Sequence, residues 1–166
     1  MMTADADTRE VTMESLKVTI RRATADDQSM LYLLAEESLC PLALRAGHPE
    51  RFDGAALLEL LQRAEVYLAE TETKAIAGYV AFDEDGDEVD LRCFCVSPAH
   101  EARMVASRLM DWVEGLAISR GRRRLTAAVP AGDESSLHLY HRHDFTSRAA
   151  EGQTDMIALE KRLPER

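Results

Sequence analysis

Between Val89 and Val129 the hydrophobic pattern changes period twice. Val89 to Val96 reads as a strand, preceded by Asp83-Glu84-Asp85-Gly86-Asp87, whose Asp-Gly step signals a hairpin turn. From Ala102, apolar residues recur at Val105, Ala106, Leu109, Val113, Leu116 and Ala117. That spacing is helical over roughly five turns. Gly121 stops the helix, and Arg120, Arg122, Arg123 and Arg124 surround its negative end. Leu125 to Val129 is a second strand. A strand, a long helix and a strand in succession pair in parallel through a right-handed crossover. The chain therefore carries a parallel step inside its sheet.

The rest of the chain surrounds that unit with antiparallel material. Val18 to Arg21 is a short alternating strand. Thr24-Ala25-Asp26-Asp27 caps a helix with Met30, Leu31, Leu33 and Leu34, and Pro41 is expected to end it. A loop through Gly47, His48 and Pro49 leads to a second helix, with Leu57, Leu60, Leu61 and Ala64 on one face. Val66 to Thr71 and Ala75 to Phe82 are paired strands. Pro130-Ala131-Gly132-Asp133 opens a short helix ending near His143, and a last strand pair, Phe145 to Ala150 and Thr154 to Leu163, closes the chain. The fold class is α/β (α+β): one mixed, mostly antiparallel sheet with helices on both faces.

A length of 166 residues fits one domain, 17–166, behind a polar, acidic leader, 1–16. That leader lacks the apolar centre of a signal peptide, and no run of about 18 apolar residues occurs. The expectation is a protein without a membrane span. Three cysteines, Cys40, Cys93 and Cys95, form no disulfide framework and point to a reducing, cytoplasmic compartment. Acidic residues number 30 against 20 basic ones, a net charge of −10. Phosphate backbones need a basic face, so a nucleic-acid partner is not expected. A cationic partner is compatible with the charge.

Two clusters imitate metal sites. His138, His141 and His143 lie on or beside one short helix, but no carboxylate or cysteine joins them in ligand spacing. In the Asp83 to Asp87 loop, Phe94 stands where a calcium loop needs its bidentate glutamate. No metal is expected. Cys93 and Cys95 share one strand face and read as core.

The segment that carries chemistry is VSPAHEARMVASRLMDWVEGL, residues 96–116, a strand end running into the long helix. A helix N-terminus offers unpaired N–H groups and partial positive charge, which suits a pyrophosphate. The plain alternative is a loop that caps a core helix. Three stretches are similar to the GNAT N-acetyltransferase superfamily, which acetylates amines with acetyl-CoA. Asp90-Leu91-Arg92-Cys93-Phe94-Cys95-Val96-Ser97-Pro98 resembles its Glu-Leu-x-x-Leu-x-Val-x-Pro strand. The turn and helix that follow occupy the place of Arg/Gln-x-x-Gly-x-Gly/Ala. Asp133 to Phe145 resembles Asn-x-x-Ala-x-x-Leu-Tyr-x-x-x-Gly-Phe, with Leu139-Tyr140 and Phe145 in register. By order of elements the likeness runs from Lys17 to Leu163.

The pyrophosphate loop departs from the family pattern. Glu101 stands where the family has Arg or Gln, Met104 at its first glycine and Ala102 at another frequent glycine, and Ala106 is an accepted variant. No proline interrupts residues 101–106, so the amides persist. Room and favourable charge are lost. A carboxylate about 6 Å from a phosphate charge costs roughly 0.7 kcal/mol in water and nearer 3 at an effective dielectric of about 20. Arg103 and Arg108 would offset that if they faced the ligand.

The resemblance implies direct acetyl transfer to an amine. It places the pyrophosphate on Glu101, Ala102, Arg103, Met104, Val105, Ala106 and Ser107, and the pantetheine arm along Phe94, Cys95 and Val96. The Val96 amide would polarise the thioester carbonyl, and Asp133 would stand near the cofactor. Tyr140 would protonate the departing thiolate, and Asp90 would take the amine's proton through a water. Glu37, Asp83 and His48 are alternative bases. The acceptor, a small-molecule or peptide amine, would enter between the helical region after Leu39 and the strand ends near Asp90. Two other readings stay open: an acetyltransferase-like module that binds without turnover, and a homodimer scaffold.

Overall fold

The computed structural model describes residues 17–45, 54–97, 102–148 and 156–165, without the side chains of 38–45, 102 and 103. The Gly47-His48-Pro49 loop and Glu101 lie outside the described residues. Among the described residues, seven strands form one sheet in the order β1-β2-β3-β4-β5-β7-β6. They are β1 (Val18–Arg22), β2 (Glu65–Thr71), β3 (Ile76–Asp85), β4 (Glu88–Val96), β5 (Arg124–Pro130), β6 (Thr146–Arg148) and β7 (Met156–Arg162). The helices are α1 (Gln28–Arg45), α2 (Gly54–Arg63), α3 (Ala102–Ser119) and α4 (Glu134–Arg142). The expected parallel step is present as β4 beside β5, and every other neighbouring pair is antiparallel.

Both faces of the sheet are covered. Leu31, Leu34 and Ala35 of α1 and Leu57 and Leu61 of α2 pack on Val66, Leu68, Tyr79, Ala81, Cys93 and Cys95. On the opposite face, Val105, Leu109, Met110, Val113 and Ala117 of α3 meet Tyr67, Val80, Phe82, Val89, Leu91 and Leu125, with Tyr140 of α4 in the same cluster. Leu109, Met110 and Val113 are at most 1% exposed. Burial of such side chains stabilises by about 1.5–3 kcal/mol each relative to exposure.

Local chemistry sets the ends of α1 and α3. The Thr24 N–H donates to Asp27 Oδ2 at 2.7 Å, closing the cap ahead of α1. Helix α1 then continues through Pro41 to Arg45, which corrects the expected stop. A proline removes one helical hydrogen bond and kinks the axis, but four further residues in helical conformation follow this one. Helix α3 ends at Gly121, whose φ of 73° is the left-handed turn glycine adopts without strain. The Arg122 N–H then reaches the Ala117 carbonyl at 2.9 Å. The arginine run anchors this end to the β2–β3 region. Arg120 forms a two-pronged pair with Glu65 at 2.9 and 3.0 Å, and Arg122 meets Glu84 at 3.2 Å.

Candidate active site

A single unpaired residue in β4 organises the site. In the β3–β4 ladder Ala81 opposes Cys93 and Phe82 opposes Leu91, so Arg92 has no partner across the ladder. Such a bulge shifts the side-chain alternation by one residue. Below it, Val89 and Leu91 face α3. Above it, Cys93 and Cys95 face α1 and α2, while Phe94 and Val96 turn toward α3.

Just beyond the bulge the sheet splits. The last paired residues of β4 and β5 are Leu91 and Ala127. Strand β4 runs on to Val96 beside β3, and β5 runs on to Pro130 beside β7. The sheet thus parts into a β1–β4 half and a β5–β7–β6 half. The Ser97 N–H donates to the Ala77 carbonyl at 2.8 Å, which makes that pair a hydrogen-bonded one. Antiparallel pairs alternate, so Cys95 and Cys93 also direct their backbone groups to β3. Phe94 and Val96 therefore direct theirs toward the β5 side, into the parting of the strands.

Tyr140 stands across this gap. Its ring meets the edge of Phe94 at 6.5 Å and of Phe145 at 5.0 Å. The residue is only 5% exposed. No hydrogen-bond partner reaches its hydroxyl among the described residues. A buried hydroxyl without a partner is uncommon and costly. Burial first, and then Cys93, Asp133 and Asp90 nearby, hold its pKa above the usual phenol range. The phenol therefore keeps its proton at neutral pH.

Asp90 occupies the fork. It is the β4 residue before Leu91, paired in register with Thr126 of β5, whose hydroxyl donates to its Oδ1 at 3.0 Å. Asp83 lies directly opposite it on β3. Arg92 Nη1 stands 3.7 Å from Asp90 and 3.6 Å from Asp83, and Arg63 reaches Asp83 at 3.1 Å. The Asp90 side chain is 42% exposed, so water can reach it. By strand alternation it faces the α1 and α2 side, whereas Tyr140 belongs to the α3 side. A proton holder and a carboxylate thus approach one gap from opposite faces of the sheet.

The other sequence-named residues divide by role. Asp133 caps α4, its Oδ1 accepting the Ser136 N–H at 3.1 Å, and is buried. Val105 and Ala106 send their side chains into the core, and Met104 is half-buried. The Ser107 hydroxyl lies 3.2 Å from His143 Nε2. The backbones of Ala102 and Arg103 form the first turn of α3, whose leading N–H groups have no partner within the helix. Burial pushes the Cys93 thiol up to about 11, although the Tyr79 hydroxyl beside it pulls the other way. Among the described residues no group of three His, Cys, Asp or Glu is placed to hold a metal ion. No described helix is long and apolar enough to cross a membrane. Sequence reasoning had not found the Arg92 bulge or the partners of Ser107 and Asp83, because no residue in the chain marks them by type.

The model of the acetyltransferase (GNAT) family matches residues 28–145. No curated protein sequence matches. Among solved structures, a GNAT-family acetyltransferase from Staphylococcus aureus Mu50 is 13% identical with a TM-score of 0.74, over 89% of this chain and 100% of that one. The ribosomal-protein-S18-alanine N-acetyltransferase of Escherichia coli is 16% identical with a TM-score of 0.72, over 90% and 96%. The PaiA N-acetyltransferase of Thermoplasma acidophilum in complex with coenzyme A is 15% identical with a TM-score of 0.74, over 88% and 99%. At these identities the likeness is one of fold.

Proposed function

The chain belongs to the GNAT acetyltransferase family, and from that premise we propose that it transfers an acetyl group from acetyl-CoA directly to a primary amine. The observation that carries this reading is the buried Tyr140, whose hydroxyl meets no partner among the described residues and whose ring packs on Phe94 where β4 and β5 part. The residues around the gap suit the cofactor. Backbone groups of Phe94 and Val96 are aimed into it, and the first turn of α3 presents amides for phosphate. Acetyl-CoA would supply the acyl group already activated as a thioester.

The chain's own groups then divide the work. The Val96 amide polarises the carbonyl that the amine attacks. Asp90, open to solvent at the fork, receives the amine's proton through a water, with Thr126 orienting its carboxylate. Tyr140 is protonated at neutral pH and would hand that proton to the thiolate as the C–S bond breaks. Cys93 remains a thiol, which favours direct transfer over an acylated cysteine. The acceptor approaches from the α1 and α2 side, where Asp90 stands.

The test is a panel of primary amines incubated with acetyl-CoA while free thiol is measured. Amine-dependent release of thiol is expected. Binding of acetyl-CoA with no release for any amine would leave a binding module of the same fold, the reading that the glycine-free loop favours.

A further inference from the structure

His143 joins α3 and α4 at one point. Its Nε2 lies 3.2 Å from the Ser107 hydroxyl of α3. Its Nδ1 faces Asp111 Oδ1 at 4.0 Å, one helical turn further along α3. Its main-chain N–H donates to the Tyr140 carbonyl at 3.0 Å, closing the last turn of α4. The Phe145 N–H donates to the same carbonyl at 3.1 Å, and the Phe145 ring packs on Tyr140 at 5.0 Å. The His143 side chain is 14% exposed, so the ring is set into the seam between α3 and α4. The Ser107 hydroxyl can donate to Nε2 or accept from it, according to the tautomer of the ring.

We propose that His143 is a positioning residue: it clasps α4 to α3 and so holds the Tyr140 hydroxyl at a set distance from the first turn of α3. The inference rests on the acetyl-transfer reading, because that reading gives both ends of the clasp a reactant to hold. Ser107 lies little more than one turn into α3, close to the amides that would face phosphate. A ligand seated on those amides would then be in register with Tyr140. A misplacement of about 1 Å is enough to cost roughly 100-fold in rate.

The experiment uses His143→Leu, Ser107→Ala, their double variant and His143→Gln. Leucine keeps bulk and removes both polar contacts, while a glutamine amide can again meet Ser107. Turnover is expected to fall roughly 10- to 100-fold in His143→Leu and in Ser107→Ala. Acetyl-CoA affinity of His143→Leu should stay within about threefold, and the turnover of the double variant should be no worse than that of either single one. His143→Gln should recover most of the rate. Hydrogen exchange of the α4 amides gives a readout free of turnover. Acetyl-CoA should slow exchange in the native protein and in His143→Gln, and should not in His143→Leu or Ser107→Ala. Equal protection in all four variants, or additive losses in the double variant, would overturn the clasp. A native protein that turns over no amine defeats the acetyl-transfer reading alone, and the exchange measurement still decides the clasp. Should His143→Leu fail to fold, Ser107→Ala and His143→Gln carry both measurements.

Discussion

At the scale of single residues, the informative groups are those whose chemistry disagrees with their surroundings. Tyr140 buries a hydroxyl that no described residue satisfies. For stability a phenylalanine would serve as well or better, since an unpaired buried hydroxyl costs about 1–3 kcal/mol. Tyr140→Phe should therefore keep or raise the denaturation midpoint, leave acetyl-CoA affinity near its native value and lower turnover by roughly 10² to 10⁴-fold. Native turnover in that variant would remove Tyr140 from the mechanism. Cys93 makes the opposite case. With its thiol held up to about 11 by burial, Cys93→Ala should retain turnover within a few fold, and mass spectrometry should find no acylated protein in either form. Asp27 links one residue to acid stability. Its carboxylate accepts two bonds from Arg21, each 2.9 Å, and one from the Thr24 N–H. These hold its pKa at about 2, below the ordinary 3.8. The pair therefore stabilises fully above about pH 4, and that stability is lost as pH falls through 2. Arg21 is partly exposed, which limits the effect to about 1 kcal/mol. Urea midpoints of Asp27→Asn should lie below native ones at pH 7 and converge with them toward pH 2.

At the scale of elements, two backbone positions decide how the helices sit. Gly78 of β3 lies beneath α3, where an added Cβ would stand 2.8 Å from the Cys95 carbonyl, 3.1 Å from Val105 Cγ1 and 3.3 Å from Leu109 Cδ1. Only glycine allows α3 this close to the sheet. Gly78→Ala should cost about 1–3 kcal/mol by urea titration and should weaken acetyl-CoA binding, because the first half of α3 must lift. Unchanged binding at reduced stability would separate α3 from the site. Asp144 ends α4 with a φ of 68°, at the position where the family motif has glycine. An aspartate there bears left-handed strain and places a negative charge at the helix's negative end. Asp144→Gly should gain roughly 0.5–1 kcal/mol in the same titration, and a loss would mean that the carboxylate holds the turn. Elements such as α3 and β5 were legible because apolar period and a stop glycine mark them directly. Asp144 was not, because its strain lies in φ, and aspartate tolerates that region well enough to look ordinary in a sequence. The Arg92 bulge was hidden for a related reason. Alternation breaks by one residue, and Cys93 and Cys95 satisfy either face. Proline at position 41 misled in the other direction, since a proline can sit inside a helix as well as end one.

At the scale of the whole molecule, the architecture is a sheet that is continuous at one end and parted at the other. The β1–β4 half is held to the β5–β7–β6 half by four register pairs, Glu88 with Arg124 through Leu91 with Ala127. Helix α3 adds ties to both halves, through Arg120 to Glu65 on one side and through Glu114 to Lys161 of β7 on the other, the last at 2.8 Å. This much followed from the order of elements, since a parallel step inside an otherwise antiparallel sheet restricts the topology severely. How far the strands part did not follow, because ladder pairing is set by tertiary contacts on both flanks. A ligand that fills such a gap contacts both halves and binds only the folded chain. Its binding free energy therefore appears as stability. Acetyl-CoA at about 100 times its dissociation constant should add about 2.7 kcal/mol. For a chain of this size the melting temperature should rise by roughly 5 to 10 °C. Tyr140→Phe should show the same rise, because its hydroxyl acts on the leaving group and not on affinity, whereas Gly78→Ala should show a smaller one at equal ligand. No rise in the native protein at millimolar acetyl-CoA would mean that the parted strands do not receive this cofactor, and that the glycine-free start of α3 has closed the site to it.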